Sequence, residues 1–186
     1  MTVSPTAAHA TLRGMRWWDI EPVLVLERAA FPDDPWRAET FWAELARPET
    51  RSYVVAVDAV GLVVGYGGLM GAGSEADITT LAVDAGWRGR GVGTALLRRL
   101  VGIAARRGAG QVMLEVRADN PVAQRLYRAH GFTRIAVRRA YYQPGGVDAH
   151  VMRLRPIPGE ASGWAIRTSW TVAPLRSAVD GQSGPW

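Results

Sequence analysis

The chain has 186 residues, 48% of them apolar and 21% charged, which suits one domain with a self-sufficient core, with or without a short extension. It contains no cysteine, so disulfide frameworks, thiolate metal sites and a cysteine nucleophile are excluded. The three histidines, His9, His130 and His150, lie too far apart for metal-ligand spacing, and no metal is expected. Residues 1–10 lack the positive charge and apolar stretch of a secretory signal, and no apolar run approaches the roughly 18 residues that span a bilayer. A soluble, cytoplasmic protein without a membrane partner is the expectation. The net charge of +5 invites a nucleic-acid reading, yet the basic residues number 22 and all are arginine. That uniformity fits a compositional habit better than a binding surface, and direct nucleic-acid binding is not expected. Charge distribution says more. Between Asp84 and Glu115 there is no acid, while Arg88, Arg90, Arg98, Arg99, Arg106 and Arg107 all fall there, beside a glycine cluster. Such a region attracts anions and points to a phosphorylated ligand.

In chain order, residues 11–17 predict a short strand, and Asp19 the N-cap of a helix that carries Val23, Leu24, Leu26 and Glu27 to about Ala30. Two prolines make 31–36 a loop. A second helix is expected over 37–47, with Phe41, Trp42 and Leu45 on one side. Residues 53–57 and 62–70 read as strands joined by a turn at 58–61, and 77–83 as another strand. The strongest helix is 90–107, with Val92, Ala95, Leu96, Leu100 and Ile103 forming its apolar face. Residues 111–117 alternate: Val112, Leu114 and Val116 on one face, Met113, Glu115 and Arg117 on the other. A helix over 121–129 stops at Gly131, and strands at 132–138 and 147–154 flank a loop at 141–146. The order is β-α-α-β-β-β-α-β-α-β-β, a mixed α/β sheet. The domain is expected to occupy 1–155. Pro156, Pro158, Gly159, Ser162 and Gly163 then open a weakly patterned stretch, 156–186, that reads as a flexible or loosely docked tail.

The most informative run is Leu81-Ala82-Val83, then Arg88-Gly89-Arg90-Gly91-Val92-Gly93-Thr94. A strand ends, a glycine-rich turn follows and a long amphipathic helix begins. Glycines let backbone approach a ligand closely, and unpaired N–H groups at a helix start bind anions. No Lys-Ser/Thr follows, so this is not a P-loop, and it does not open the first βαβ unit as a dinucleotide fingerprint would. From the residues alone it is either a diphosphate cradle or a turn serving helix packing. The run resembles the Gln/Arg-x-x-Gly-x-Gly/Ala signature of the GNAT-type N-acetyltransferases. The resemblance implies the GNAT fold: a mostly antiparallel sheet of about seven strands, splayed between strands 4 and 5, with about four helices. It implies acetyl-CoA as co-substrate, with Leu81, Ala82 and Val83 along the acyl arm and the Val83 N–H facing the thioester carbonyl. Arg88, Gly89, Arg90, Gly91, Val92, Gly93 and Thr94 would hold the pyrophosphate.

A second run, Glu115-Val116-Arg117-Ala118-Asp119-Asn120-Pro121 with Leu126-Tyr127 and His130-Gly131-Phe132, is similar to the ribosomal-protein-alanine N-acetyltransferase branch. The 31–36 loop and Arg138-Arg139-Ala140-Tyr141-Tyr142 fit that branch too. The resemblance implies Glu115 as proton acceptor, Tyr127 as proton donor and Asn120 as a coenzyme contact. The residue pattern leaves alternatives: Glu115 pairing with Arg117, Tyr127 as a core aromatic, Asn120 as a helix cap. Trp36, Tyr141 and Tyr142 are candidate walls for an extended peptide, or Trp36 merely staples a helix start. Asp33, Asp34 and Glu39 are candidates to attract a positive amine. The activity implied is acetyl transfer to the N-terminal α-amine of a ribosomal protein, with alanine as the residue modified. A lysine or small-molecule amine acceptor is the first alternative, and a non-catalytic RNA-associated or coenzyme-sensing module the second.

Overall fold

A computed structural model describes residues 10–157. The sequence-predicted tail therefore lies outside the described residues except for Pro156 and Ile157, and Ile157 packs against the larger core. Seven strands form one sheet: β1 (Thr11–Gly14), β2 (Arg51–Val57), β3 (Val63–Ala72), β4 (Glu75–Val83), β5 (Gln111–Arg117), β6 (Thr133–Tyr142) and β7 (Val147–Leu154). Four α-helices accompany it: α1 (Ile20–Ala30), α2 (Ala38–Leu45), α3 (Val92–Arg106) and α4 (Pro121–Ala129). The elements follow the predicted order. In space the strands run β1-β2-β3-β4-β5-β7-β6, and every pairing is antiparallel except β4 with β5. This is the expected GNAT architecture.

The apolar period of α3 places Val92, Leu96, Leu97, Leu100, Val101 and Ile103 against Val54, Ala56, Ile78, Val112, Leu114 and Val116 on one sheet face. Glycines in β3 set how close α3 lies. A Cβ at Gly67 would meet Leu100 Cδ1 at 2.9 Å, and one at Gly65 would meet Leu96 and Val92 at 3.2 Å. On the other face α1 and α2 cover Tyr53, Val55, Tyr66 and Ala82 with Ile20, Val23, Leu24 and Phe41. A bulge in β4 links the two layers. Gly68 pairs with Thr80 but Leu69 with Ile78, so Thr79 is the extra residue. Such an insertion flips the faces of all that follows. Ile78 packs in the α3 layer, whereas Thr80 is buried and Ala82 joins the α1 layer.

Three local expectations are corrected. Asp19 does not cap α1 with its side chain; a 3-10 turn, Trp17–Asp19, precedes that helix. The Asp19 carboxylate is buried and instead accepts from the Arg13 guanidinium, at 2.7 Å from Nη2, and from the Arg16 amide at 2.7 Å. A neighbouring guanidinium outcompetes a helix end because its paired bonds are charge-assisted on both sides. Next, α3 starts at Val92 rather than Arg90, because Gly89 and Gly91 adopt φ of 74° and 82°, which no α-helix accommodates. Last, β6 runs on to Tyr142 instead of stopping at Arg138. A register shift between Arg138 and Tyr142, with Ala140 at φ 49°, bends the strand while keeping it beside β7. Tyr141 and Tyr142 are thus strand-end residues, not loop residues.

Leu100 is fully buried beneath Gly67. Leu100→Ala is expected to lower unfolding free energy by about 2–5 kcal/mol, read as a shifted denaturant midpoint with an unchanged slope.

Candidate active site

The pairing of β4 with β5 covers only Glu75–Gln111 to Ile78–Leu114. Both strands continue, β4 along β3 to Val83 and β5 along β7 to Arg117, without pairing each other again. The sheet therefore opens at the carboxyl ends of its one parallel pair, where ligands bind in open α/β sheets. Thr79 and Glu115 are the first residues beyond the parting. Leu81, Ala82 and Val83 complete the β4 wall of the gap.

At the mouth of that gap the chain turns into α3. Asp84 accepts from the Gly86 amide at 2.9 Å and initiates a 3-10 turn over Ala85–Trp87. Arg88 Nε folds back onto the Val83 carbonyl at 3.2 Å, and the Arg90 guanidinium stacks over Trp87 at 5.4 Å. Gly91 is the N-cap of α3 and supplies no capping side chain; the helix begins with Ala95 N–H on the Gly91 carbonyl at 2.9 Å. The first-turn amides of Val92, Gly93 and Thr94 are left for an external acceptor, and the helix dipole favours an anion there by about 0.3–1 kcal/mol. A Cβ at Gly89 would meet nothing within 4 Å, so the bend faces open space. Diphosphate at the bend and an extended thioester arm in the gap suit this geometry; the residues present fit acetyl-CoA.

Across the gap, Glu115 sits on the face of β5 opposite the α3 layer. Its carboxylate forms an ion pair with Arg138, Nε lying 3.0 Å from Oε1, and its proximity, with burial, raises the Tyr141 phenol above its ordinary range. The alternative partner Arg117 is otherwise engaged. It pairs with Asp119 at 3.0 Å and with Asp33 at 3.5 Å, and stacks over Tyr142 at 5.3 Å. A single guanidinium thus joins the α1–α2 loop, the start of α4 and the end of β6 around the site.

Asn120 caps α4 as one reading expected, its Oδ1 accepting from Ala123 N–H at 3.0 Å with Pro121 in the first turn. That leaves its Nδ2 directed away from the cap bond. Tyr127, two turns on, is nearly buried, its ring 5.8 Å from Phe132. Burial, with Tyr142 adding, pushes its hydroxyl up to about 12, so it keeps its proton at neutral pH. Tyr142 is likewise pushed up to about 12, chiefly by burial and by Glu115. Trp36 is partly buried, its ring 5.5 Å from that of Phe41, which is the stapling position. Tyr141 and Tyr142 meet edge to face at 5.1 Å beside Glu115. His130 lies at the end of α4 with Nδ1 at 2.8 Å from the Leu126 carbonyl, and His150 is in β7.

Four residues near the site escaped sequence reasoning. Gln124 binds the carbonyls of Arg117 and Ala118 at 3.0 Å each, fastening the Tyr127 helix to the end of the Glu115 strand. Arg138 holds Glu115 from another strand. Asp77, at the last stretch of β4–β5 pairing, is raised by burial and by the charges of Glu75 and Glu115. Glu27 is 2% exposed in α1. For Gln124 and Glu27 the available signal was a polar residue at an inward helical position; for Arg138, part of the run that fits the branch, nothing signalled its pairing with Glu115. A separate cavity of about 190 Å³, lined by Glu49, Leu69, Glu75, Ala104 and Arg107 among others, lies at the opposite end of β4.

Comparison with known proteins agrees with the geometry. Residues 16–132 match the acetyltransferase (GNAT) family, and the chain belongs to it. The N-alpha-acetyltransferase RimI of Mycobacterium tuberculosis is 44% identical over 125 residues, covering 65% of this chain and 76% of that protein. A longer, uncharacterized protein of Mycobacterium leprae is 41% identical over 140 residues, 73% of this chain but 38% of its own length. The crystal structure of the ribosomal-protein-S18-alanine N-acetyltransferase from Escherichia coli superposes with a TM-score of 0.70 at 29% identity, over 82% of this chain and 97% of that one. Among the described residues no helix is long and apolar enough to cross a membrane.

Glu27 supplies a pH test of the site's support. Burial, with the Asp34 charge adding, pushes its carboxyl up to about 7 against the opposing hydrogen bond from the Trp36 amide. The folded state therefore holds a proton that the unfolded chain has already released between the ordinary 4.5 and about 7. Stability should fall by about 3 kcal/mol as pH rises through that window. Glu27→Gln should flatten the fall, measured as unfolding midpoints from pH 4 to 8.

Proposed function

We propose that the protein transfers the acetyl group of acetyl-CoA to the N-terminal α-amine of a protein, alanine of a ribosomal protein being the acceptor, in the cytoplasm. The observation that carries this reading is that Glu115 is the first residue of β5 past the point where β4 and β5 part. A proton acceptor stands there beside the place an acyl arm would lie. The Mycobacterium tuberculosis and Escherichia coli relatives, named for N-terminal and S18-alanine acetylation, support the choice of acceptor.

Acetyl-CoA, when bound, supplies an acyl group already activated as a thioester. The amides of Gly91 to Thr94 with Arg88 and Arg90 hold its diphosphate, Leu81 to Val83 line its arm, the Val83 N–H addresses the thioester carbonyl, and Asn120 contacts it through Nδ2. An α-amine has an ordinary pKa near 8 and is only partly free base at neutral pH. Glu115 takes its proton, directly or through one water. The amine nitrogen then attacks the acyl carbon: the C–N bond forms, the C–S bond breaks, Tyr127 protonates the departing sulfur, and the proton shed by the new amide nitrogen restores Tyr127. Transfer is direct, a reading that the lack of cysteine supports indirectly, because the commonest acyl-carrying nucleophile is missing. Arg138 and Tyr141 orient Glu115 until the acceptor ammonium arrives to share it. Tyr141 and Tyr142 flank the incoming peptide, with Trp36 holding the opposite loop.

With acetyl-CoA and a short peptide beginning with alanine, the purified chain should release free thiol, and an α-blocked, lysine-containing version should not support release. Glu115→Gln should lower kcat by about 10²–10⁴-fold; undiminished turnover would remove it as the base. Tyr127→Phe should lower kcat by about 10²-fold with unchanged acetyl-CoA affinity, and a loss confined to affinity would contradict its role.

A further inference from the structure

The carboxyl of Glu27 has no part in the chemistry above, yet it is buried at the junction of four elements. Its Oε1 accepts from the backbone N–H of Trp36, in the α1–α2 loop, at 2.9 Å. Its Oε2 accepts from the Tyr66 hydroxyl of β3, and that hydroxyl lies 3.1 Å from Thr80 Oγ1 of β4. Thr80 belongs to the half of β4 that has left β5, placed on this face by the bulge at Thr79. One carboxyl therefore ties the loop on the acceptor side to the strand that walls the acyl arm.

The cost of such an arrangement argues against an incidental role. Burying a carboxyl is expensive unless both oxygens are served, and a leucine in that slot would carry no desolvation cost of its own among Ile20, Val23 and Phe41. What an apolar residue would leave behind is an orphaned Trp36 amide, with the loop held by the packing of Phe31 and Trp36 and by the exposed Arg117–Asp33 pair at 3.5 Å. Surface pairs of that kind contribute little. Reacting atoms must be brought to about 3–3.5 Å, and a misplacement near 1 Å costs about 10²-fold in rate. The spacing of the two walls is thus worth fixing from the interior.

We infer that Glu27 is a positioning residue: it fixes the α1–α2 loop against β4 and so sets the distance between the acceptor amine and the acyl arm. This rests on the acetyl-transfer reading for its kinetic consequence but not for its structural one. The property that matters is a hydrogen bond at each of two fixed positions, an acceptor for the Trp36 amide and a partner for the Tyr66 hydroxyl, not charge. Glutamine, which accepts with Oε1 and meets the Tyr66 oxygen with Nε2, should therefore serve nearly as well, whereas leucine should not.

The test compares the full-length wild type with Glu27→Leu, Glu27→Gln and Tyr66→Phe, by steady-state thiol release and by amide hydrogen exchange of residues 31–37. Glu27→Leu should raise KM for the alanine peptide about tenfold or more while KM for acetyl-CoA changes less than twofold, and should abolish protection of the Trp36 amide. Glu27→Gln should restore both. Tyr66→Phe should keep the Trp36 amide protected. Parallel rises in both KM values, or a glutamine variant as impaired as leucine, would reduce Glu27 to a general core residue and overturn the inference. If the wild type itself does not turn over the peptide, the proposed acceptor fails and exchange alone decides: unchanged Trp36 protection in Glu27→Leu overturns the inference, and lost protection restored by glutamine sustains it. Should Glu27→Leu not fold, the same exchange measurement on Glu27→Ala takes its place with the same two outcomes.

Discussion

Two parallel strands that stop bonding to each other part-way along their length impose the rest of this structure. Backbone groups at a parting must be served by other strands or by a ligand, because buried orphans are costly. Here β4 stays bonded to β3 and β5 to β7, so each strand is secured on its outer side while the inner edges face the gap. The parting works only because each half is independently anchored, β4 through the α1 layer after its bulge and β5 through the α3 layer and β7. The same bulge that swings Thr80 and Ala82 to the α1 side brings β4 under the control of Glu27 and Tyr66. Cleft and support have a common origin in one extra residue, Thr79.

The opposite boundary of the cleft is set by how closely α3 approaches β3. The strand reads Val-Val-Gly-Tyr-Gly-Gly, poor in the side chains that favour pairing, and its glycines are where Leu96 and Leu100 seat. Sheet propensity has been exchanged for helix proximity. Because α3 is a rigid rod of 15 residues, the depth of that seat fixes where its amide-bearing first turn stands relative to Val83.

Much of this was legible from local pattern. The 3.6-residue period of 92–106, the alternation of 111–117 and the Gly89–Gly91 bend all announce themselves within a window of a few residues, and the order of elements followed from them. What escaped was non-local. Asp19 is a plausible cap by position, and only the proximity of Arg13 across a turn makes it a buried ion-pair partner. Arg117 stands two residues from Glu115 on the same face, about 7 Å along a strand, but Arg138 reaches Glu115 from β6 and nothing in either segment says so. The extension of β6 to Tyr142 depends on a single left-handed residue, Ala140, of a type that rarely adopts such a φ. Glu27 stands at an inward helical position where a leucine would satisfy every periodicity rule; its partners lie 9 and 39 residues away. The catalytic assignments of Glu115 and Tyr127 came from family likeness, and the structure contributes their surroundings: a carboxylate paired with a guanidinium and a phenol buried in the larger core.

The cations that crowd this cleft, Arg117 and Arg138 foremost, have a chemical consequence that their charge alone does not convey. A site built to acylate nitrogen risks labelling itself if its own nucleophilic nitrogens lie within reach of the thioester. Guanidinium is delocalised and stays protonated at any pH the fold survives, so it has no lone pair to offer. Lysine at either position would supply the same positive field together with a competing acceptor. Whatever the origin of the all-arginine composition, among the described residues the cations paired around Glu115 are guanidinium groups, and none of them offers the thioester a competing lone pair.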